Sequence, residues 1–261
     1  MSITPLFDFF KRGEVDRDVR LLAAQGGLAP RAYEQLSILV LLLDAGDPEI
    51  RQTAESTLSR IPDAVLSGFL ARSDVPVAMR EFFAGRGIFP AETAPPAEEE
   101  EKPLIESGEA EDTSAAEEEE EEEEDRESLM QRLSKMTFPD RLKAASKGSR
   151  EMRAILVRDP NKMIAAAVMS SPKLTDAEVE GIARMASVSE DVLRIIGANR
   201  GWMKKYKIFS ALTRNPKTPV ALSMNIIGRL NPKDMATLAV DRNVPEAVRV
   251  AARKKLVTNK D

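Results

Sequence analysis

Histidine and cysteine, two residue types that carry much of enzyme chemistry, are both absent from these 261 residues. Their absence removes disulfides, thiol and imidazole catalysis, and ordinary structural zinc; only carboxylate sites for hard cations remain. Carboxylates do cluster at Asp176, Glu178 and Glu180. They follow Thr175 at a helix start, however, where acidic side chains favour the helix macrodipole. No glycine-rich phosphate loop is present. Gly26-Gly27-Leu28 and Gly85-Arg86-Gly87 are short, follow no strand and lack a Gly-Lys-Ser/Thr ending. The sequence therefore predicts no catalytic residue, no cofactor and no metal, and the chain is read as a non-enzyme.

What remains is a candidate for binding. Arg200, Lys204, Lys205, Lys207, Arg214 and Lys217 crowd into the stretch Asn199 to Lys217, to which Lys254 and Lys255 add. At 100° per residue, Trp202, Tyr206, Phe209 and Thr213 share one helical face while Lys204 and Lys207 lie opposite. The aromatic stripe is accordingly assigned to the core, with Trp202, at a helix start after Gly201, the one most open to solvent. The cations form a surface patch suited to an acidic protein or to a phosphate backbone.

The elements that must carry this patch emerge from the charge layout. Residues 1–90 hold 10 basic and 12 acidic residues, 91–126 hold 2 and 18, and 127–261 hold 26 and 13. The net charge of −5 thus conceals a tract of −16 beside a half of +13. The tract contains the unbroken run Glu117 to Glu124 and Asp125, four prolines counting Pro90, and little apolar content beyond Leu104 and Ile105. It reads as a disordered Glu-rich linker. Its charge also makes it a competitor, in cis, for the basic face.

Before the tract, apolar residues recur at three- and four-residue spacing. They predict helices over 15–24, 30–44, 48–60, 62–72 and 76–84, several begun by a proline in the first turn. Leu36, Leu39, Val40 and Leu43 form the expected buried face, and the cluster Leu6, Phe7, Phe9 and Phe10 is read as an end cap on the first helix. After the tract, short helices are expected over 127–136 and 138–147.

The remaining chain repeats itself. Met152, Val192 and Met235 begin equivalent helices; Asp159-Pro160, Asn199-Arg200 and Asn243-Val244-Pro245 make equivalent turns; Ser171-Pro172 and Asn215-Pro216 end equivalent helices. Corresponding anchors are 40 to 44 residues apart, a period of stacked helical units that bury their apolar faces only against neighbours. The patterns DPxxxxxxA from Asp159 and NVPEAVRxxA from Asn243 resemble HEAT-like or leucine-rich-repeat-variant α-solenoids. The block Ser134 to Leu256 resembles a bacterial helical-repeat family that is itself uncharacterised.

The sequence therefore predicts an all-α protein of two helical-repeat, HEAT-like α-solenoid modules joined by a disordered acidic linker. Residues 1–90 form the first domain, 91–127 the linker, 128–257 a basic second domain and 258–261 a tail. The expected function is non-catalytic protein binding, as a scaffold or adaptor, with Arg200, Trp202, Lys204, Lys205, Lys207, Arg214 and Lys217 meeting an acidic partner. Nucleic-acid binding by the same face is the alternative. The resemblance implies a third reading, since some HEAT-like solenoids are DNA glycosylases; it requires an exposed Trp202 beside a carboxylate in a basic concave cleft. Met1 to Gly13 lacks the pattern of a signal peptide, and the run Leu36 to Leu43 is far below the ~20 residues of a membrane span. A cytoplasmic protein without a membrane partner is expected.

Overall fold

The computed structural model describes residues 5–29, 31–92, 104 and 122–258. Among these there are helices and turns and no strand, so the all-α expectation holds. Two compact units form: unit 1 comprises Met1–Met152 and Ser170–Pro172, unit 2 Arg153–Met169 and Lys173–Asp261. This boundary falls later in the chain than the change of charge at residue 127. The acidic run Glu117 to Glu121, and most of the expected linker with it, lies outside the described residues.

Unit 1 contains α1 (Pro5–Arg12), α2 (Arg17–Ala24), α3 (Ala32–Leu43), α4 (Pro48–Ser59), α5 (Asp63–Leu70), α6 (Val77–Ala84), α7 (Glu122–Lys135) and α8 (Phe138–Lys147). Pro48 occupies the first turn of α4 behind Asp47, whose carboxylate accepts the Glu49 and Ile50 N–H groups at 2.9 and 3.4 Å. That cap satisfies donors the helix itself leaves open. The aromatic amino-terminal segment is itself helical; α1 packs on α3, with Leu6 and Phe10 buried. In α3, Leu36 and Leu39 are buried as expected, but Val40 and Leu43 are only half-buried, and Ile38 and Leu42 are buried as well. The helix meets α1, α2 and α4, so burial wraps around it instead of following one stripe. α7 begins at Glu122, earlier than expected, because glutamates are good helix formers and suit a helix amino terminus.

The chain continues through α9 (Arg150–Leu156), α10 (Lys162–Ser170), α11 (Asp176–Arg184), α12 (Glu190–Ala198), a 3₁₀ turn (Trp202–Lys204), α13 (Tyr206–Arg214), α14 (Val220–Ile226), a second 3₁₀ turn (Ile227–Arg229), α15 (Pro232–Val240) and α16 (Glu246–Thr258). Met152, Val192 and Met235 each fall near the start of a helix, and Ser171 and Asn215 each follow the last residue of one. The turns share one device. Asp159, Asn199, Asn215 and Asp241 each accept, on the side-chain Oδ1, the N–H two residues ahead at 2.8, 2.9, 3.0 and 2.9 Å. This closed side-chain turn lets the chain leave one helix and enter the next without open backbone donors.

Unit 2 is knit by a buried ion pair. Arg153 Nη2 lies 2.7 Å from Glu178 Oε1, with side chains 5% and 9% exposed. Glu178 Oε2 accepts the Thr175 N–H at 2.8 Å and the Thr175 hydroxyl at 2.9 Å, completing a capping box at the start of α11. Burial alone would raise the Glu178 pKa; the Thr175 and Arg153 donors outweigh it and hold the group below its ordinary value. Among the described residues no helix is long and apolar enough to cross a membrane.

Candidate functional site

The basic stretch of unit 2 is positioned by a helix break. The Asn199 Oδ1 accepts the N–H groups of Gly201 and Trp202 at 2.9 and 3.2 Å, which starts the 3₁₀ turn. The chain then extends at Lys205 (φ −89°, ψ 115°), and α13 begins afresh at Tyr206. The single helical face expected for Trp202, Tyr206, Phe209 and Thr213 therefore does not form across the break. Phe209 and Thr213 are buried as expected, and Trp202 is half-buried. Tyr206 is 37% exposed and does not belong to the core. Its phenol donates to Asp234 and accepts the Asn231 N–H at 3.1 Å, while its ring meets Phe209 edge-on, 5.0 Å between centroids.

α13 lies between α11 and α15, and their side chains enclose a cleft of about 480 Å³. Arg184 comes from α11, Asp234 from α15, and Tyr206, Lys207, Ser210, Ala211, Arg214 and Asn215 from α13 and its carboxyl-terminal cap. Asn215 is anchored from below, its amide donating to the Ala183 and Met185 carbonyls at 2.8 and 3.0 Å. Asp234 is engaged by both the Tyr206 hydroxyl and the Arg214 guanidinium. The Tyr206 hydroxyl is the largest influence holding the Asp234 carboxyl below its ordinary range; burial opposes it and Arg214 reinforces it. The Tyr206 phenol is pushed up, first by burial and then by the neighbouring carboxylate.

The seven candidate residues differ in where the structure places them. Lys207 and Arg214 line the cleft. Lys205 pairs with Asp176 at the start of α11, and Lys217 turns to the Val188 carbonyl at 3.2 Å. Arg200 and Lys204 are exposed, and Trp202 is not among the cleft-lining residues. Lys255 lies over Gly228 and is not among the cleft-lining residues. Arg184, Tyr206 and Asp234 are cleft residues that the sequence argument did not select. Asp234 was within reach, since Asn231-Pro232 announces a helix cap and Asp234 sits in its first turn. Its bond to Tyr206, 28 residues away, leaves no local signal.

Chemically the cleft offers three cations, Arg184, Lys207 and Arg214, around one carboxylate that is already bonded. Of these cations, Arg184 is paired with Glu180 one helical turn earlier. Among the described residues no cluster of three or more acidic side chains is disposed to hold a metal ion. Compared with known proteins, the chain matches no family model, no characterised protein and no solved structure.

Proposed function

We propose that this chain is a non-catalytic binding adaptor of the helical-repeat kind, whose unit 2 takes an acidic protein partner. The observation that carries the reading is the division of charges in and around α13. Asp176, Glu180 and Asp234 are already engaged by Lys205, Arg184 and Arg214, whereas Arg200, Lys204 and Lys207 make no ion pair among the described residues. Cations left unmatched at a surface steer and orient a complementary partner. Unit 2 as a whole carries 20 basic and 10 acidic residues. The lack of histidine and cysteine, with the carboxylates of Asp176, Glu178, Glu180 and Asp234 committed to a cap and to ion pairs, supports the non-catalytic half of the reading. In the same reading the run Glu117 to Asp125 competes in cis for these cations, and the protein works in the cytoplasm.

A nucleic acid is the second partner class, favoured by the exposed Tyr206 ring beside Lys207 and Arg214, which offers a stacking surface amid positive charge. Against it stand the Asp234 carboxylate inside the cleft and the overall charge of −5.

Titration of the full-length chain with a polyglutamate peptide, duplex DNA and single-stranded RNA separates the readings. The peptide is expected to bind at low salt, and Lys204→Glu/Lys207→Glu to weaken it on the order of tenfold, two charge contacts of the rim type. Deleting residues 110–126 is expected to tighten it. DNA or RNA binding with a steep salt slope, and no peptide binding, transfers the conclusion to nucleic acid. Binding of none of the three refutes both.

A further inference from the structure

The connection between α2 and α3 is unusual for a loop, because Gly26–Ala29 is buried throughout. Gly26, at φ 81°, ends α2 in a left-handed turn that a side chain would strain; the Gly26 and Gly27 N–H groups return to the Ala23 and Leu22 carbonyls at 2.9 and 3.2 Å. Two carbonyls of this loop, those of Gly26 and Leu28, are approached by side chains from other parts of unit 1. Ser146 Oγ of α8 lies 3.3 Å from the Leu28 oxygen, sharing its one proton with the Leu142 and Lys143 oxygens of its own helix at 3.0 and 3.2 Å. Gln35, only 2% exposed, donates its Nε2 to the Gly26 oxygen at 3.0 Å. Its Oε1 accepts the backbone N–H of Leu104 at 2.8 Å, from 69 residues further along the chain.

A buried carboxamide is costly unless both its ends find partners, and here it works as a two-sided reader of backbone. Leu104 is half-buried at this point. It is also one of the few large apolar residues in the acidic tract, preceded by Pro103, whose fixed φ lowers the entropy lost on ordering. We propose that Gln35 and the Gly26–Ala29 loop form a peptide-binding site that the chain's own Leu104 occupies, through its backbone N–H and its apolar side chain.

The consequence is topological. Leu104 and Ser146 approach carbonyls two residues apart, that of Gly26 through Gln35 and that of Leu28 directly. The two ends of the chain between them therefore both come to one loop of unit 1, Leu104 through Gln35 and Ser146 by direct approach. This inference is independent of the acidic-partner reading, because none of the residues it uses belongs to the basic face.

The absence of cysteine allows a direct test in the full chain. Spin labels at Gln25→Cys, an exposed position beside Gly26, and at Ile105→Cys report the distance between loop and segment. A single narrow distribution is expected, together with Leu104 amide exchange slowed up to about tenfold relative to unstructured chain, the range of one hydrogen bond. Leu104→Pro removes the donor without altering the Gln35 site, and is expected to broaden the distribution to that of a free chain. A broad distribution or an unprotected amide in the parent overturns the proposal. So does a narrow distribution that survives Leu104→Pro, since the segment would then be held without Gln35.

Discussion

The pair Arg153–Glu178 is the point where the energetics of unit 2 can be tested most sharply. The two carboxylate oxygens divide their work: Oε1 faces the Arg153 Nε and Nη2 at 3.1 and 2.7 Å, and Oε2 serves the Thr175 cap. Arg153→Met removes the cation and strands a nearly buried carboxylate, a loss of about 3 kcal/mol for breaking one side of a buried pair. Glu178→Gln strands the guanidinium at a similar cost of about 3 kcal/mol, while its amide oxygen still serves the capping box, where Gln is an accepted residue. In the double variant nothing charged is stranded. Its cost is expected to be about 3 kcal/mol, so the coupling is about 3 kcal/mol, the upper end for contacting residues. Trp202 is the single tryptophan of the chain and lies in unit 2, so its fluorescence in a urea titration reads the relevant unfolding.

The same pair has a pH signature. The folded pKa of Glu178 is depressed, so its stabilisation is complete above the unfolded value, near 4.5, and disappears as pH falls through the folded value. The stability gap between the parent and Glu178→Gln is therefore expected to be constant near neutrality and to close under acid. A double variant that costs the sum of the two singles, or a gap unchanged by acid, refutes the reasoning.

Tyr206→Phe removes the hydroxyl between Asp234 and Asn231; a loss of about 1 kcal/mol is expected, and the Asp234 carboxyl, followed by NMR, should titrate at higher pH than in the parent. Gly148→Ala places a Cβ 2.3 Å from the Ala144 carbonyl oxygen, a backbone atom that cannot swing aside. Unit 1 is expected to lose about 1–3 kcal/mol, visible as a lower Tm in calorimetry with the Trp202 transition unmoved.

Much of the fold was legible because its signals are local. Pro48 after Asp47, Thr175 three residues before Glu178, and the Asn-Pro and Ser-Pro pairs at helix ends act within one turn of chain, and the structure uses each where the sequence set it. The break at Lys205 was harder to see. Trp202 to Tyr206 has a composition compatible with helix, and only the Asn199-Arg200-Gly201 triplet marks the side-chain turn that restarts the register. Tyr206 consequently left the core and became a cleft residue. The Gln35–Leu104 bond lies beyond any such reading, because neither residue carries a mark of the other.

The candidate site divides along the same line. Net charge adds up residue by residue, so the basic character of the second half was available from a count. Which cations are free is a property of pairs. Lys204 and Lys205 are neighbours of identical chemistry, yet Lys205 is held by Asp176 and Lys204 has no ion pair among the described residues. Lys207 and Arg214 both line the cleft, yet Arg214 is held by Asp234. This division yields a last expectation. Lys204→Glu/Lys207→Glu removes unmatched charge, so polyglutamate binding should fall while the Trp202 urea midpoint stays fixed. Lys205→Glu/Arg214→Glu sets like charges against Asp176 and Asp234, each pair being worth at most about 1 kcal/mol at an exposed position, so its midpoint should fall as well. Equal stability in the two double variants would mean that the pairs at Asp176 and Asp234 do not order these cations in solution, and the distinction between held and free charge on this face would go with them.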